Sequence, residues 1–113
     1  MTAIKKWYEV ATVRDIDDQE ALQIEVNGVY IALFNLDGKF YATDDRCPVF
    51  DASLADSYIE DDLVYVDDDR LSYEIRTGMP CHDPKDTPLK RYPVKIDNGL
   101  VYVGLVIDPT YPV

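Results

Sequence analysis

Short runs with apolar side chains at every second position fill most of the chain, and each run is closed by turn residues. Residues 22–26 (LQIEV) and 29–34 (VYIALF) flank Asn27-Gly28, and residues 39–43 (KFYAT) follow Asp37-Gly38. Residues 92–96 (YPVKI) and 100–105 (LVYVGL) flank Asn98-Gly99. Asn-Gly and Asp-Gly supply the positive φ angles of two-residue hairpin turns, so each pair predicts a hairpin. Residues 62–66 (DLVYV) and 71–75 (LSYEI) add two more strands around an acidic loop. Long helical periodicity is absent; only residues 17–22 (DDQEAL) allow a helical turn, and a loop serves as well. Nine tyrosines and many valines suit pleated, half-buried surfaces. The pattern predicts an all-β protein, a small antiparallel sandwich or barrel of roughly eight short strands.

Two stretches carry turn chemistry without a strand pattern: residues 44–58 (DDRCPVFDASLADSY) and residues 78–88 (GMPCHDPKDTP). Pro80, Pro84 and Pro88 remove ladder donors and exclude a central strand from the second stretch. With Asp67 to Arg70 they make three loops. Residues 106–113 (VIDPTYPV) read as an appended extended segment.

A chain of 113 residues is most simply one domain, residues 1–113. At that size about 65% of the unfolded surface is buried on folding, so no metal or disulfide is needed merely to fold. Charge changes the picture more than size does. Twenty-two acidic against eleven basic residues give −11, which disfavours nucleic acid and anionic membrane and favours a basic protein surface or a cation. No apolar run approaches the ~18 residues of a membrane span. The N-terminus also lacks the apolar core of a signal peptide. The expected location is the cytoplasm, with Cys47 and Cys81 reduced rather than paired.

The strings FYATDDRCP, ASLADSYIEDDLVYV, YEIRTG and YPVKIDNGLVYVGL, in that order and spacing, resemble the Rieske-type ferredoxins of aromatic-ring dioxygenase systems. The resemblance runs over about residues 7–105 and implies the Rieske-like fold. In that family a Cys-x-His pair and a Cys-x-x-His pair hold a [2Fe–2S] cluster, two thiolates on one iron and two imidazoles on the other. Carried over position by position, the ligands fall on Cys47, Val49, Val66 and Asp69. HDP at His82 to Pro84 resembles the family's covering proline loop. Three of the four positions thus hold residues other than the family ligand. The single histidine of the chain excludes two imidazole ligands by any rearrangement. The expectation is therefore that no [2Fe–2S] cofactor is bound.

Other chemistry at these positions is weighed on residue type. Cys47 reads as a small, partly buried hydrophobe rather than a residual ligand or reactive thiol. Asp67, Asp68 and Asp69 read as a solvated acidic loop, since calcium loops space their oxygens at alternate positions and include a glycine. Cys47, Asp69, Cys81 and His82 make a four-donor set for a mononuclear metal, against which stands the adjacency of Cys81 and His82. No nucleophile–base pair and no phosphate-binding glycine loop is present.

The resemblance implies a protein partner such as an oxygenase or reductase component. The docking tip is expected at Val49, Phe50, Asp69, Arg70, His82 and Pro84, because the family's histidine ligands lie at the exposed end. The leading expectation is a cluster-free, non-catalytic binding, structural or modulatory component of an oxygenase or reductase system. The small subunits of some nitrite reductases, which share the fold without the ligands, are a precedent. The alternative is electron transfer through a non-Rieske metal site. A third reading is a ferredoxin whose ligands were replaced and whose activity is gone.

Overall fold

In a computed structural model the chain is all β, and the structure describes residues 4–49, 51–66, 71–83 and 85–107. Among the described residues ten strands follow in order: β1 (Ile4–Thr12), β2 (Glu20–Val26), β3 (Val29–Leu36), β4 (Lys39–Asp44), β5 (Tyr58–Glu60), β6 (Leu63–Val66), β7 (Leu71–Glu74), β8 (Arg91–Tyr92), β9 (Val94–Asp97) and β10 (Leu100–Ile107). They form three antiparallel sheets with the orders β1-β10-β9, β2-β3-β4-β8 and β5-β6-β7.

The three predicted hairpin turns are all present. Asn27-Gly28, Asp37-Gly38 and Asn98-Gly99 each place both residues at positive φ, from 51° to 84°, the twist that matches flanking right-handed strands. A fourth turn of this kind, Asp61-Asp62 at 53° and 65°, joins β5 to β6 without a glycine. Left-handed backbone costs a non-glycine residue roughly 1–2 kcal/mol, and side chains offset it here. Gln19 donates to Asp62 Oδ1 at 2.8 Å, and Arg76 donates through Nε and Nη2 to Asp62 Oδ2 at 3.2 and 3.0 Å.

The strand count and three boundaries differ from the sequence expectation. Residues 4–12, which lack a clean alternation, pair with β10 along their length, with one register shift between Glu9 and Ala11. The possible helical turn at residues 17–22 resolves into a turn followed by β2, because Gln19 at φ 61° reverses the chain. Residues 92–96 are not one strand. Pro93 cannot continue a ladder, so β8 pairs with β4 while β9, beyond the proline, pairs with β10. Val106 and Ile107, read as part of a tail, extend β10; residues 108–113 lie outside the described residues.

β3 is the shared wall of the molecule. Residues 31–36 are all buried, and period-2 geometry sends them alternately to two sides. Ile31 and Leu33 enter a cluster with Ile16, Val101, Val103 and Leu105. Ala32, Phe34 and Leu36 enter a second cluster with Cys47, Leu54, Val64, Val66, Tyr73 and Ile75. Asn35 is buried among these, and both ends of its amide are satisfied: Nδ2 donates to the Ile16 carbonyl and Oδ1 accepts from Gly38 N, each at 2.8 Å.

Candidate functional site

The second cluster is closed by the connections after β4 and β7, and these hold Cys47, Val49, Cys81 and His82 of the residues singled out from sequence. Asp45 organises the first connection. Its carboxylate is buried and accepts hydrogen bonds from Gln23 Nε2 at 2.6 Å, Ser53 Oγ at 3.0 Å and Ala55 N at 2.9 Å. Its backbone N–H donates to the Tyr30 carbonyl, and Cys47 N donates to Ala52 O at 3.0 Å. A buried carboxylate is tolerable only with such a full set of donors. The set ties Asp45 and Cys47 back to Ala52, Ser53 and Ala55 and so closes the loop after β4, with Cys47 buried at its base.

Cys47 is a free, buried thiol, as its reading as a small hydrophobe requires. Its Sγ lies 3.8 Å from the hydroxyl of Tyr73, a fully buried side chain of β7. Burial pushes the Tyr73 phenol well above the usual tyrosine range, and the contact with Cys47 adds to it. Tyr73 meets His82 edge-on, with ring centroids 5.1 Å apart. His82 in turn is fastened at both nitrogens. Nδ1 lies 3.0 Å from the Ser72 carbonyl and 3.2 Å from Ser72 N, so it finds a partner whichever tautomer is present. Nε2 lies 2.8 Å from Asp86 Oδ2, in the geometry of an ion pair rather than of an aligned hydrogen bond.

The loop after β7 is tied back by backbone bonds. Cys81 N donates to Ser72 O at 2.8 Å, and Leu89 N donates to Gly78 O at 2.8 Å. Gly78 sits at φ +78°, and a Cβ there would stand 2.8 Å from the Leu89 carbonyl, so the close approach of the two arms requires glycine.

Of the family ligand positions, Cys47 and Val66 both lie in the second cluster, whereas Val49 is 47% exposed. Asp69 falls outside the described residues, as do Phe50, Arg70 and Pro84 of the expected docking tip and the aspartates Asp67 and Asp68. The four-donor set is not assembled by the residues that are described. Tyr73 stands between Cys47 and His82, and Cys81 is exposed. His82 is turned inward, its side chain only 11% exposed, instead of outward at a tip. Asp45, Tyr73 and Asp86 were not singled out from sequence. Tyr73 sits in an ordinary strand alternation, and the partners of Asp45 and Asp86 become visible only once the loops are folded.

Residues 6–104 match the Rieske-like [2Fe-2S] domain. The 3-phenylpropionate/cinnamic acid dioxygenase ferredoxin subunit of Shigella flexneri serotype 5b (strain 8401) is 39% identical over 94 residues, 82% of this chain and 88% of that protein. Among solved structures, the ferredoxin of Sphingomonas yanoikuyae B1 matches with a TM-score of 0.80 at 27% identity, over 88% of this chain and 99% of that one. A chain of the complex of reduced oxygenase and oxidized ferredoxin in carbazole 1,9a-dioxygenase matches with a TM-score of 0.78 at 28% identity, over 86% and 91%.

These findings correct the expectation that no [2Fe–2S] cofactor belongs to the chain: the matched domain is a [2Fe-2S] domain, and the relative is a ferredoxin subunit. The donors that are present do not fit the family's ligand pattern. Among the described residues no three His, Cys, Asp or Glu side chains are gathered to hold a metal, and one histidine cannot supply two imidazoles. A cluster on this frame has to draw on donors other than the two thiolates and two imidazoles of a single chain. Among the described residues, no helix is long and apolar enough to cross a membrane.

Proposed function

The chain belongs to the Rieske-like [2Fe-2S] domain family, and from that premise we propose that it is a ferredoxin-type component of an aromatic-ring oxygenase system that acts by docking onto the oxygenase or reductase component. The observation that carries this reading is the 39% identity to a dioxygenase ferredoxin subunit over most of both chains. The match to a chain of an oxygenase–ferredoxin complex supports a protein partner of the same kind.

The finer part of the proposal is a binding, structural or modulatory contribution, made by residues 1–113 acting as one cytoplasmic domain. At two of the ligand positions, Val49 and Val66, the side chains offer apolar surface and filling instead of donors. Val49 is 47% exposed at the closed loop, and Met79, at the neck of the loop after β7, is 48% exposed. Exposed apolar side chains suit a partner face with an apolar centre, and the net charge of −11 suits one with a basic rim. Of the tip residues expected from sequence, Val49 leads. His82 supports the loop from inside, and Phe50, Asp69, Arg70 and Pro84 enter the proposal on sequence alone.

The test is biolayer interferometry of the purified chain against the oxygenase and the reductase components of a 3-phenylpropionate dioxygenase, with that system's ferredoxin subunit as competitor. Binding to one component that weakens with salt and is displaced by the ferredoxin subunit is expected. Val49→Asp should weaken it by about tenfold or more. Absence of binding to both components at about 100 μM, near the weak end of transient complexes, overturns the reading.

A further inference from the structure

We propose that the cleft at the junction of β1, β4, β8 and β9 is a binding site for a small aromatic carboxylate. None of its lining residues belongs to the three loops assigned to docking, so either proposal can fail without the other.

The cleft exists because Pro93 passes the chain from one sheet to another. β8 stays with β4 while β9 turns to β10, and the two sheets part around the proline. The opening has a volume of about 540 Å³, within the roughly 300–1,000 Å³ typical of small-molecule sites. Phe40, Tyr41 and Tyr92 are among its lining residues, and Lys5 and Arg91 are its charged ones.

In a chain with twice as many acidic as basic residues, no Asp or Glu lines this cleft. Two further cations lie close to its aromatic residues. Lys90 Nζ lies 5.3 Å from the centroid of the Tyr92 ring, and the Arg76 guanidinium lies 5.5 Å from that of Tyr41. Arg76 is neutralised by Asp62 at 3.0 Å. Among the described residues, no carboxylate pairs with Lys5, Lys90 or Arg91. Arg91 is nonetheless held in place, its Nη1 donating to the Arg76 carbonyl at 2.6 Å. Asp44 is occupied by the Tyr92 hydroxyl at 2.5 Å, which fixes that ring.

The two halves of this lining select the ligand. Cations among the lining residues favour an anion, and a guanidinium favours a carboxylate, which it can meet with two N–H groups. Aromatic residues in the same lining favour a planar apolar body, through ring–ring contact and area removed from water. An aliphatic acid leaves the rings unfilled, and a neutral aromatic leaves the cations unpaired.

Titration of the ¹⁵N-labelled full chain with 3-phenylpropionate, 3-phenylpropan-1-ol and acetate, followed by amide shifts, separates these terms. Saturable binding of 3-phenylpropionate with a Kd of about 1 mM or tighter is expected, with shifts at Lys5, Tyr41, Ala42, Arg91, Tyr92 and Val94. The alcohol and acetate should each bind at least about tenfold more weakly. Lys5→Gln, at an exposed side chain with no ion pair among the described residues, should weaken binding severalfold and leave the fold intact. Arg91→Gln tests the second cation; Arg91→Lys, which keeps the charge and loses the fork, should restore only part of the affinity. Equal binding of acid and alcohol, shifts centred elsewhere, indifference to Lys5→Gln, or saturation by a glutamate-rich peptide but not by 3-phenylpropionate would each overturn the proposal.

Discussion

Ile31 and Leu33 project from β3 into one apolar cluster, and Ala32, Phe34 and Leu36 project into the other, yet the walls that close the two are made differently. On the first side the closing sheet is β1-β10-β9, in which strands of nine and eight residues run together along a nearly continuous ladder. Backbone hydrogen bonds and alternating side chains suffice there. On the second side the strands β5, β6 and β7 have three or four residues each, and loops complete the enclosure. Those loops are fixed by individual polar side chains: Asp45 with three donors, Asp62 with Gln19 and Arg76, and His82 between Ser72 and Asp86. One side is ordered by repetition, the other by particular residues. The second side is where Cys47 and Val66 of the expected ligand positions fall and where single substitutions can change what the protein does.

The sharpest way to probe that side is to supply the full donor set. Val49→His, Val66→Cys and Asp69→His together place the family's two cysteines and two histidines on the frame. The triple variant should bind about two iron atoms per chain, with the visible bands of a histidine-ligated [2Fe–2S] centre. Metal analysis and absorbance after anaerobic purification measure it. Equal iron in native and variant chains would instead show that the native chain holds its family's cluster through other donors. Protein that folds without taking up iron would show that the loops are not spaced for ligation.

Matched core truncations compare the two sides directly. Leu33 and Leu54 are both fully buried, one in the shared strand facing the ladder-built side, the other in the loop after β4. Leu33→Ala should cost about 4 kcal/mol in urea unfolding, because neighbouring strands cannot collapse into the void. Asp45→Ala follows at about 3 kcal/mol, since three donors lose a buried acceptor. Leu54→Ala should cost about 2 kcal/mol, because a loop can close over part of the lost volume. Hydrogen exchange gives the qualitative form of the contrast: Leu33→Ala should raise exchange throughout the β1-β10-β9 and β2-β3-β4-β8 sheets, and the other two chiefly in residues 45–66 and 71–89.

The sequence disclosed the first side far better than the second. Hairpin turns announce themselves through Asn-Gly and Asp-Gly, and every one of the three was legible. The Asp61-Asp62 turn was not, because its positive φ values rest on partners 14 and 43 residues away rather than on a glycine. Pro93 was visible as a residue, but only the sheet assignment of β8 and β9 shows that it divides a strand and opens a cleft. The expected ligand positions were legible as residue identities at fixed spacing. The inward fastening of His82 was not, since it depends on Ser72 and Asp86 closing around the ring after the loop has folded. What the sequence records well is periodic or local. What it records poorly is a single polar contact across a long separation.

Asp62 allows the smallest of these effects to be isolated. Its hydrogen bond from Gln19, then those from Arg76, hold its carboxyl below the usual carboxylate range, against an opposing contribution from burial. A carboxyl with a lower pKa folded than unfolded stabilises the fold fully above the unfolded value, about 3.9, and loses that contribution as pH falls through the folded value. Asn in its place keeps the side chain best suited to positive φ after glycine, so the turn itself survives while the charge is removed. The native chain should therefore melt higher than Asp62→Asn at neutral pH, and the gap should narrow as the pH is taken below about 4. Since the Asp62 and Arg76 side chains are 33% and 40% exposed, added salt should narrow the neutral-pH gap as well. A gap constant from neutral to acid pH would assign the stabilisation to hydrogen bonding by the neutral groups alone, and the loop-built side of the molecule would then owe nothing to charge at this turn.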